Sequence, residues 1–130
     1  MIKILRTAAF LLCTAVAAPV MAQDYDKGLA AYNVGDFDTA LEELRPLGEQ
    51  GHAGAQFNLG LMYSYGVGVP QDYAEAVVLA HMWFNIGGAN GDERGSDDRG
   101  LIEEQMNREQ IADAQARARR CLSSNYQDCG

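Results

Sequence analysis

The chain has 130 residues, with 18 acidic side chains against 10 Lys and Arg, and a formal net charge of −8 at pH 7. Such an acidic protein is repelled by nucleic-acid phosphates and by anionic lipid headgroups, so we expect neither as a partner. The simplest role of this charge is to keep the protein soluble.

The first 22 residues have the composition of a secretory signal peptide. Lys3 and Arg6 precede an uncharged stretch over residues 7–21. The small-residue pattern Val20-Met21-Ala22 then predicts cleavage after Ala22. The apolar part is too short to span a bilayer, which takes about 20 residues. We therefore expect a periplasmic or secreted protein with no membrane anchor after cleavage, and with one domain over residues 23–130.

Removal of this leader takes two basic residues from the net charge of −8, which leaves −10 on the mature chain. Cys13 offers an alternative, since Leu11, Leu12 and Cys13 resemble part of a lipid-attachment site. Such sites need a small residue before the cysteine, and Leu12 is not small. The signal-peptide interpretation is therefore preferred.

Helical patterns begin soon after the leader. Residues 25–34 predict a short helix that ends at Gly35, and residues 37–50 predict a second helix that Pro46 should kink or shorten. A third helical pattern leads up to Gly66, and a fourth covers residues 73–89 with an apolar stripe at helical spacing.

The turn between the third and fourth helices is specified in detail. Gly60 should let a neighbouring helix approach closely, Gly66 should end the third helix in the left-handed conformation, and Gly68 should keep the loop tight. Asp72 is expected to cap the fourth helix, and Glu75 completes a capping-box-like pattern. This turn predicts a hinge that fixes an antiparallel helix pair.

The last third of the chain is more polar. Ser96, followed by two acids, predicts the start of a fifth helix. Asn107 with Gln110 predicts the cap of a final helix that runs to about Arg120. A loop over residues 121–130 should follow it.

Two cysteines remain in the mature chain, Cys121 and Cys129. In an exported protein such a pair indicates a disulfide. The alternative is a metal site, but the spacing is wider than that of common zinc ligands, and neither His52 nor His81 is near the cysteines in sequence. The disulfide is the favoured prediction.

Two stretches of the chain resemble each other. Residues 36–41 and 72–77 share one pattern, which is an acid, an aromatic residue, two variable positions, an alanine and an aliphatic residue. Further along the chain, Gln50-Gly51 matches Asn90-Gly91. The first match has an offset of 36 residues and the second an offset of 40 residues. Self-similarity at such a period is typical of stacked helix pairs. It predicts an all-α fold, a short α-solenoid of about three antiparallel helix pairs over residues 24–51, 53–91 and 92–120.

At these positions the sequence resembles the Sel-one-like repeat family, which is related to the tetratricopeptide repeats. The resemblance is carried by Ala55, Leu59, Gly60, Tyr63, Gly66, Gly68, Asp72, Ala76, Trp83 and Gly91. It departs from the family at Gly87-Gly88, where paired alanines are usual, and the glycines should weaken the helix end by up to about 1 kcal/mol each. Some exported proteins resembling the family carry a cysteine pair in every repeat, whereas this chain has one pair, so activities proposed for that branch are not transferred.

The resemblance implies a scaffold or adaptor that binds an unknown protein partner in the cell envelope through a concave face. Side chains expected to reach that face are Asn33, Gln56, Asn58 and Tyr65. A cell-wall or polysaccharide-binding module is the alternative, since Tyr65 and Trp83 are aromatic rings that can stack on sugars. Trp83 is nevertheless expected mainly in the core.

No catalytic constellation is visible in the sequence, so a small periplasmic hydrolase is the least favoured interpretation. The adjacent acids at 42–43, 97–98 and 103–104 cannot face each other on a helix and are expected to be solvated. His52 and His81 are expected to be ordinary histidines. No phosphate loop, dinucleotide motif or cofactor site is predicted.

Overall fold

The computed structural model describes residues 23–70 and 72–130, and the predicted signal peptide and Cys13 lie outside them. The described part is all-helical and contains no strand, which confirms the predicted class. Its six helices are α1 (Tyr25–Asn33), α2 (Phe37–Gly48), α3 (Ala53–Tyr65), α4 (Tyr73–Ala89), α5 (Glu93–Glu103) and α6 (Arg108–Ser123).

Four of these helices begin after an aspartate. The side chains of Asp24, Asp36, Asp72 and Asp92 each accept a hydrogen bond from a backbone N–H two or three residues further on. Each therefore satisfies donors that the first helical turn leaves unpaired. Asp36 and Asp72, the acids matched in the sequence comparison, thus have the same local role.

The predicted ends of α3 and α6 are also found. Gly66 caps α3 in the left-handed conformation, with φ 64°. Asn107 and Gln110 form the reciprocal capping box at the start of α6, with distances of 2.8 and 3.0 Å. These ends follow from residues adjacent in sequence, which is why the sequence predicts them.

Two of three further local predictions need correction. Helix α5 begins at Glu93 instead of Ser96, because the Asp92 carboxylate accepts from the Arg94 backbone N–H and caps the helix earlier. Pro46 lies within α2, which ends at Gly48, two residues before the predicted end. Glu75 does not close the capping box with Asp72, because its carboxylate is bound by Arg117 of α6.

Helix α4 is the centre of the packing. It contacts α3, α5 and α6, while α1 packs on α2 and α2 packs on α3. The largest side chains with almost no exposure are Trp83, Phe84, Leu44, Leu59, Met62, Met82 and Ile86. Helix α6 packs mainly on α4, and the division of residues 24–120 into three helix pairs stays a prediction.

Glycines allow the helices around α4 to approach closely. A Cβ on Gly60 would lie 2.4 Å from Phe84 Cδ1, so this glycine makes room for α4 on α3, as predicted. Gly88 and Gly95 bring α4 against α5, where a Cβ on Gly95 would lie 2.6 Å from the Phe84 carbonyl oxygen. Gly87 faces the α3 backbone in the same way. The Gly87-Gly88 pair therefore has a packing role, which the helix-propensity argument did not anticipate.

An ion pair and a hydrogen bond connect elements that are distant in sequence. The Lys27 ammonium lies 2.7 Å from the Glu43 carboxylate, which also accepts from the Asp24 backbone N–H at 2.9 Å. Hydrogen bonds from the Lys27 ammonium and from the Asp24 backbone N–H both lower the pKa of the Glu43 carboxyl. Glu103 lies 2.7 Å from the Nε2 atom of His81. Glu43 and Glu103 are thus paired groups, which corrects the expectation of purely solvated acids.

The C-terminal loop is closed by a disulfide between Cys121 and Cys129, eight positions apart. Cys121 has no exposed surface, and Tyr126 packs beside the core in the same loop. The predicted pairing of the two cysteines is therefore present in the structure.

Loss of this disulfide is expected to lower the free energy of unfolding by about 2.5 kcal/mol, because a closed ring of about nine residues restricts the unfolded chain. Urea denaturation of the oxidised chain and of Cys129→Ser measures this difference, and the intact mass should rise by two hydrogens on reduction. Reductant should not shift the midpoint of Cys129→Ser. An oxidised chain whose midpoint is unaffected by reductant would contradict the prediction.

Candidate functional site

Three large apolar side chains lie exposed near one another. Tyr65 is 67% exposed, Tyr73 is 64% exposed and Leu101 is 60% exposed. With Gln105 they form what we call the aromatic patch. In the described part of the chain, two other large hydrophobic residues are exposed, Val34 at 80% and Leu122 at 40%. Neither of them lines the shallow cavity of this surface.

The aromatic patch is assembled from three helices. Tyr65 is the last residue of α3, Tyr73 is the first residue of α4, and Leu101 lies near the end of α5. A shallow cavity of about 260 Å³ is lined by Tyr65, Leu101 and Gln105. The Tyr73 hydroxyl donates to Gln105 Oε1 at 3.2 Å, which links Tyr73 to the same surface.

Acidic groups border the aromatic patch on α5. Asp98 lines the shallow cavity, and burial raises its pKa, with a further contribution from the neighbouring Asp97 carboxylate. The Arg99 guanidinium, also on α5, donates to Asn85 Oδ1 at 2.9 Å and so points toward α4. The border of the aromatic patch is therefore suited to basic side chains of a partner.

The four candidate binding residues are divided by the structure. Asn33 is exposed at the end of α1, and Tyr65 belongs to the aromatic patch. Gln56 is fully buried and Asn58 is 5% exposed, so neither reaches a surface. The expected concave face that includes these two residues is therefore corrected.

Gln56 and Asn58 are buried because their amides complete internal hydrogen bonds. Gln56 Nε2 donates to the Gly48 carbonyl at 2.9 Å, and its Oε1 accepts from Asn90 at 2.8 Å. Asn58 Nδ2 donates to the Gly54 carbonyl at 2.8 Å and lies 3.3 Å from the hydroxyl of Tyr25. A buried amide is costly unless such partners are present, so both residues join helices instead of binding a ligand.

Trp83 and the two histidines also have internal positions. Trp83 is 1% exposed, as expected of a core residue, and is not available to stack on a sugar. His81 is fully buried beside Glu103, which differs from the expected ordinary histidine. His52 caps α3, since its Nδ1 accepts from the Ala55 N–H at 3.0 Å.

Sequence reasoning missed Tyr73 and Leu101. Tyr73 was treated only as the aromatic position after the Asp72 cap, and a residue at the first helical position often faces solvent. Leu101 and Ile102 are adjacent on α5, and neighbours on a helix point about 100° apart. Ile102 is 4% exposed, so Leu101 must point away from the core.

Two further features of residues 23–70 and 72–130 bear on the chemistry. No three His, Cys, Asp or Glu side chains there are grouped so that they could hold a metal ion. No helix in these ranges has the length and apolar character needed to cross a bilayer.

No protein-family model matches the chain. A relative from Rhizobium meliloti (strain 1021), named "Exopolysaccharide production negative regulator", is 37% identical over 75 residues, which are 58% of this chain and 26% of the relative. The matched segment of this chain thus spans about a quarter of the length of that relative.

Proposed function

We propose that this chain is an exported helical-repeat protein of the Sel-one-like kind, and that it acts as a protein-interaction module in the cell envelope. In this proposal the helices are stacked repeats, and the partner binds at the aromatic patch. The observation that carries the proposal is the joint exposure of Tyr65, Tyr73 and Leu101 where three helices meet. Exposed aromatic clusters with polar borders are typical of protein-binding surfaces.

The repeat part of the proposal is supported by equivalent local structure. Asp36 and Asp72 cap helices that each begin with an aromatic residue, Phe37 and Tyr73. Gly66 ends the helix that precedes the second of these caps. These features agree with the self-similarity of the sequence.

The acidic residue at the aromatic patch indicates which charge the partner should carry. Asp98 lines its shallow cavity, and the Asp97 carboxylate is close enough to Asp98 to raise its pKa, on a chain with a net charge of −8. We expect a protein segment with one or two large apolar side chains flanked by Lys or Arg. The relative named as a regulator of exopolysaccharide production supports a regulatory interaction role, since regulators act through partners.

The experiment uses a photo-reactive amino acid placed at Tyr65 in the full-length exported chain. We expect cross-links to a defined envelope protein from position 65 but not from Leu122, which is 40% exposed at the end of α6 and does not line the aromatic patch. The Leu101→Ser change should weaken binding of the identified partner by at least about tenfold. Added salt should also weaken it, because salt screens the attraction between opposite charges at a protein surface.

The control is Leu122→Ser, which makes the same change at an exposed leucine outside the aromatic patch and should leave partner affinity unchanged. Equal cross-linking from positions 122 and 65, or full affinity of Leu101→Ser, would contradict the proposed surface. Retention of the chain on insoluble cell wall that is lost in Tyr65→Ser would instead support the polysaccharide-binding alternative, for which Trp83 no longer provides a ring.

A further inference from the structure

A second and larger cavity lies on a different side of the molecule from the aromatic patch. It has a volume of about 480 Å³ and lies between α2, α4 and the disulfide-closed C-terminal loop. Pockets of 300–1,000 Å³ are of the size that holds small molecules. We call it the loop cavity.

The walls of the loop cavity are held by tertiary contacts. Tyr126 lines it from the C-terminal loop, and its hydroxyl accepts from Asn90 Nδ2 at 2.9 Å. Tyr63 lines it from α3, and Leu79 supplies an apolar wall from α4. The Cys121–Cys129 disulfide fixes the loop that carries Tyr126. The cavity is therefore a feature of the folded core and not of a free surface loop.

Two opposite charges line the loop cavity without neutralising each other. Arg45 lies in the last turn of α2 and Glu49 caps the C-terminal end of that helix, four positions further on, and both line the cavity. Neither forms an ion pair among the described residues. Arg45 Nη2 donates to the Tyr63 hydroxyl at 2.9 Å, which directs the guanidinium toward the cavity wall. The amides of Gln50 and Gln127 add further hydrogen-bonding groups.

We propose that the loop cavity is a binding site for a zwitterionic ligand of dipeptide size, whose carboxylate pairs with Arg45 and whose ammonium pairs with Glu49. A guanidinium recognises a carboxylate through charge-assisted hydrogen bonds. A ligand with a single charge would satisfy one of these residues and oppose the other. The aromatic and apolar walls receive the side chain of the ligand.

The test is an NMR titration of the isotope-labelled chain as it is exported, with the disulfide intact, using glycyl-leucine as the probe. We expect saturable shifts of backbone amides around residues 45–51 and 126–130 below about 20 mM. N-acetyl-glycyl-leucine amide, which lacks both charges, should bind at least about tenfold more weakly.

Variants of Arg45 and Glu49 test the role of each charge in binding the peptide. Glu49→Gln and Arg45→Gln should each weaken glycyl-leucine binding by about tenfold, and Arg45→Lys should retain most of it because the charge is kept. Glu42→Gln is the matched control, since Glu42 is exposed on the same helix but does not line the loop cavity. If Arg45→Gln does not fold, Glu49→Gln, at an exposed residue, still decides the question.

Three results would overturn the proposal. These are the absence of saturable shifts, equal binding of the charged and blocked peptides, and equal binding to wild type and Glu49→Gln. Cellobiose is included as an uncharged probe, and tighter binding of cellobiose than of glycyl-leucine at the same amides would assign the cavity to sugars instead. The aromatic patch is not part of this cavity, so its cross-linking result is independent.

Discussion

Replacement of Trp83 by alanine is expected to lower the free energy of unfolding by about 3–5 kcal/mol. Trp83 is 1% exposed at the centre of α4, the helix that contacts α3, α5 and α6. Its ring approaches Gly48, so truncation leaves a large void between α4 and α2. Marginal stability makes such a loss a large share of the total.

Urea denaturation followed by circular dichroism measures this effect, since Trp83 is the single tryptophan and its fluorescence is lost in the variant. The matched control is Tyr73→Ala, which removes an aromatic ring that is 64% exposed at the start of the same helix and should change stability by less than about 0.5 kcal/mol. Equal effects of the two changes would contradict the core position of Trp83.

Replacement of Gly95 by alanine is expected to destabilise the fold by about 3 kcal/mol, at the upper end of the cost of overpacking. The added Cβ would lie 2.6 Å from the Phe84 carbonyl oxygen and 2.8 Å from the Gly88 nitrogen. Both atoms belong to the backbone of α4, so relief requires α5 to move away as a unit. Urea denaturation measures the loss of stability.

Replacement of Gly100 by alanine, in the same helix, is expected to change stability in the opposite direction. A Cβ there meets no atom within 4 Å, and Gly100 is exposed. Gly100→Ala should therefore stabilise the protein by about 0.5–1 kcal/mol, because alanine favours the helix. If both substitutions changed stability in the same direction, close contact between α4 and α5 would not be the reason for Gly95.

The α4–α5 contact also connects stability to the proposed binding surface. Leu101 and Gln105 reach the aromatic patch only because α5 lies close to α4 and the end of α3. A displacement of α5 in Gly95→Ala should therefore weaken partner binding, whereas Gly100→Ala should preserve it. The same pair of variants thus tests packing and surface together.

The sequence by itself determined features that depend on neighbouring residues. Asp72 and Asn107 begin helices, and Gly66 ends one, because a cap is made by side chains and backbone groups within four positions. The all-helical class follows from these signals together with apolar spacing. The pairing of Cys121 with Cys129 followed from there being two cysteines in the mature chain. The leader and the repeat family stay predictions.

The tertiary structure decided which side chains are available. Gln56 looked like a polar group on a helix face, but Gly48 and Asn90 supply its hydrogen-bond partners and bury it. Glu75 matched a capping pattern, but Arg117, 42 positions away, binds its carboxylate. Caps and turns are encoded by contacts of a few residues, whereas burial and pairing depend on which helix lies opposite, and that choice is made only when the whole chain packs.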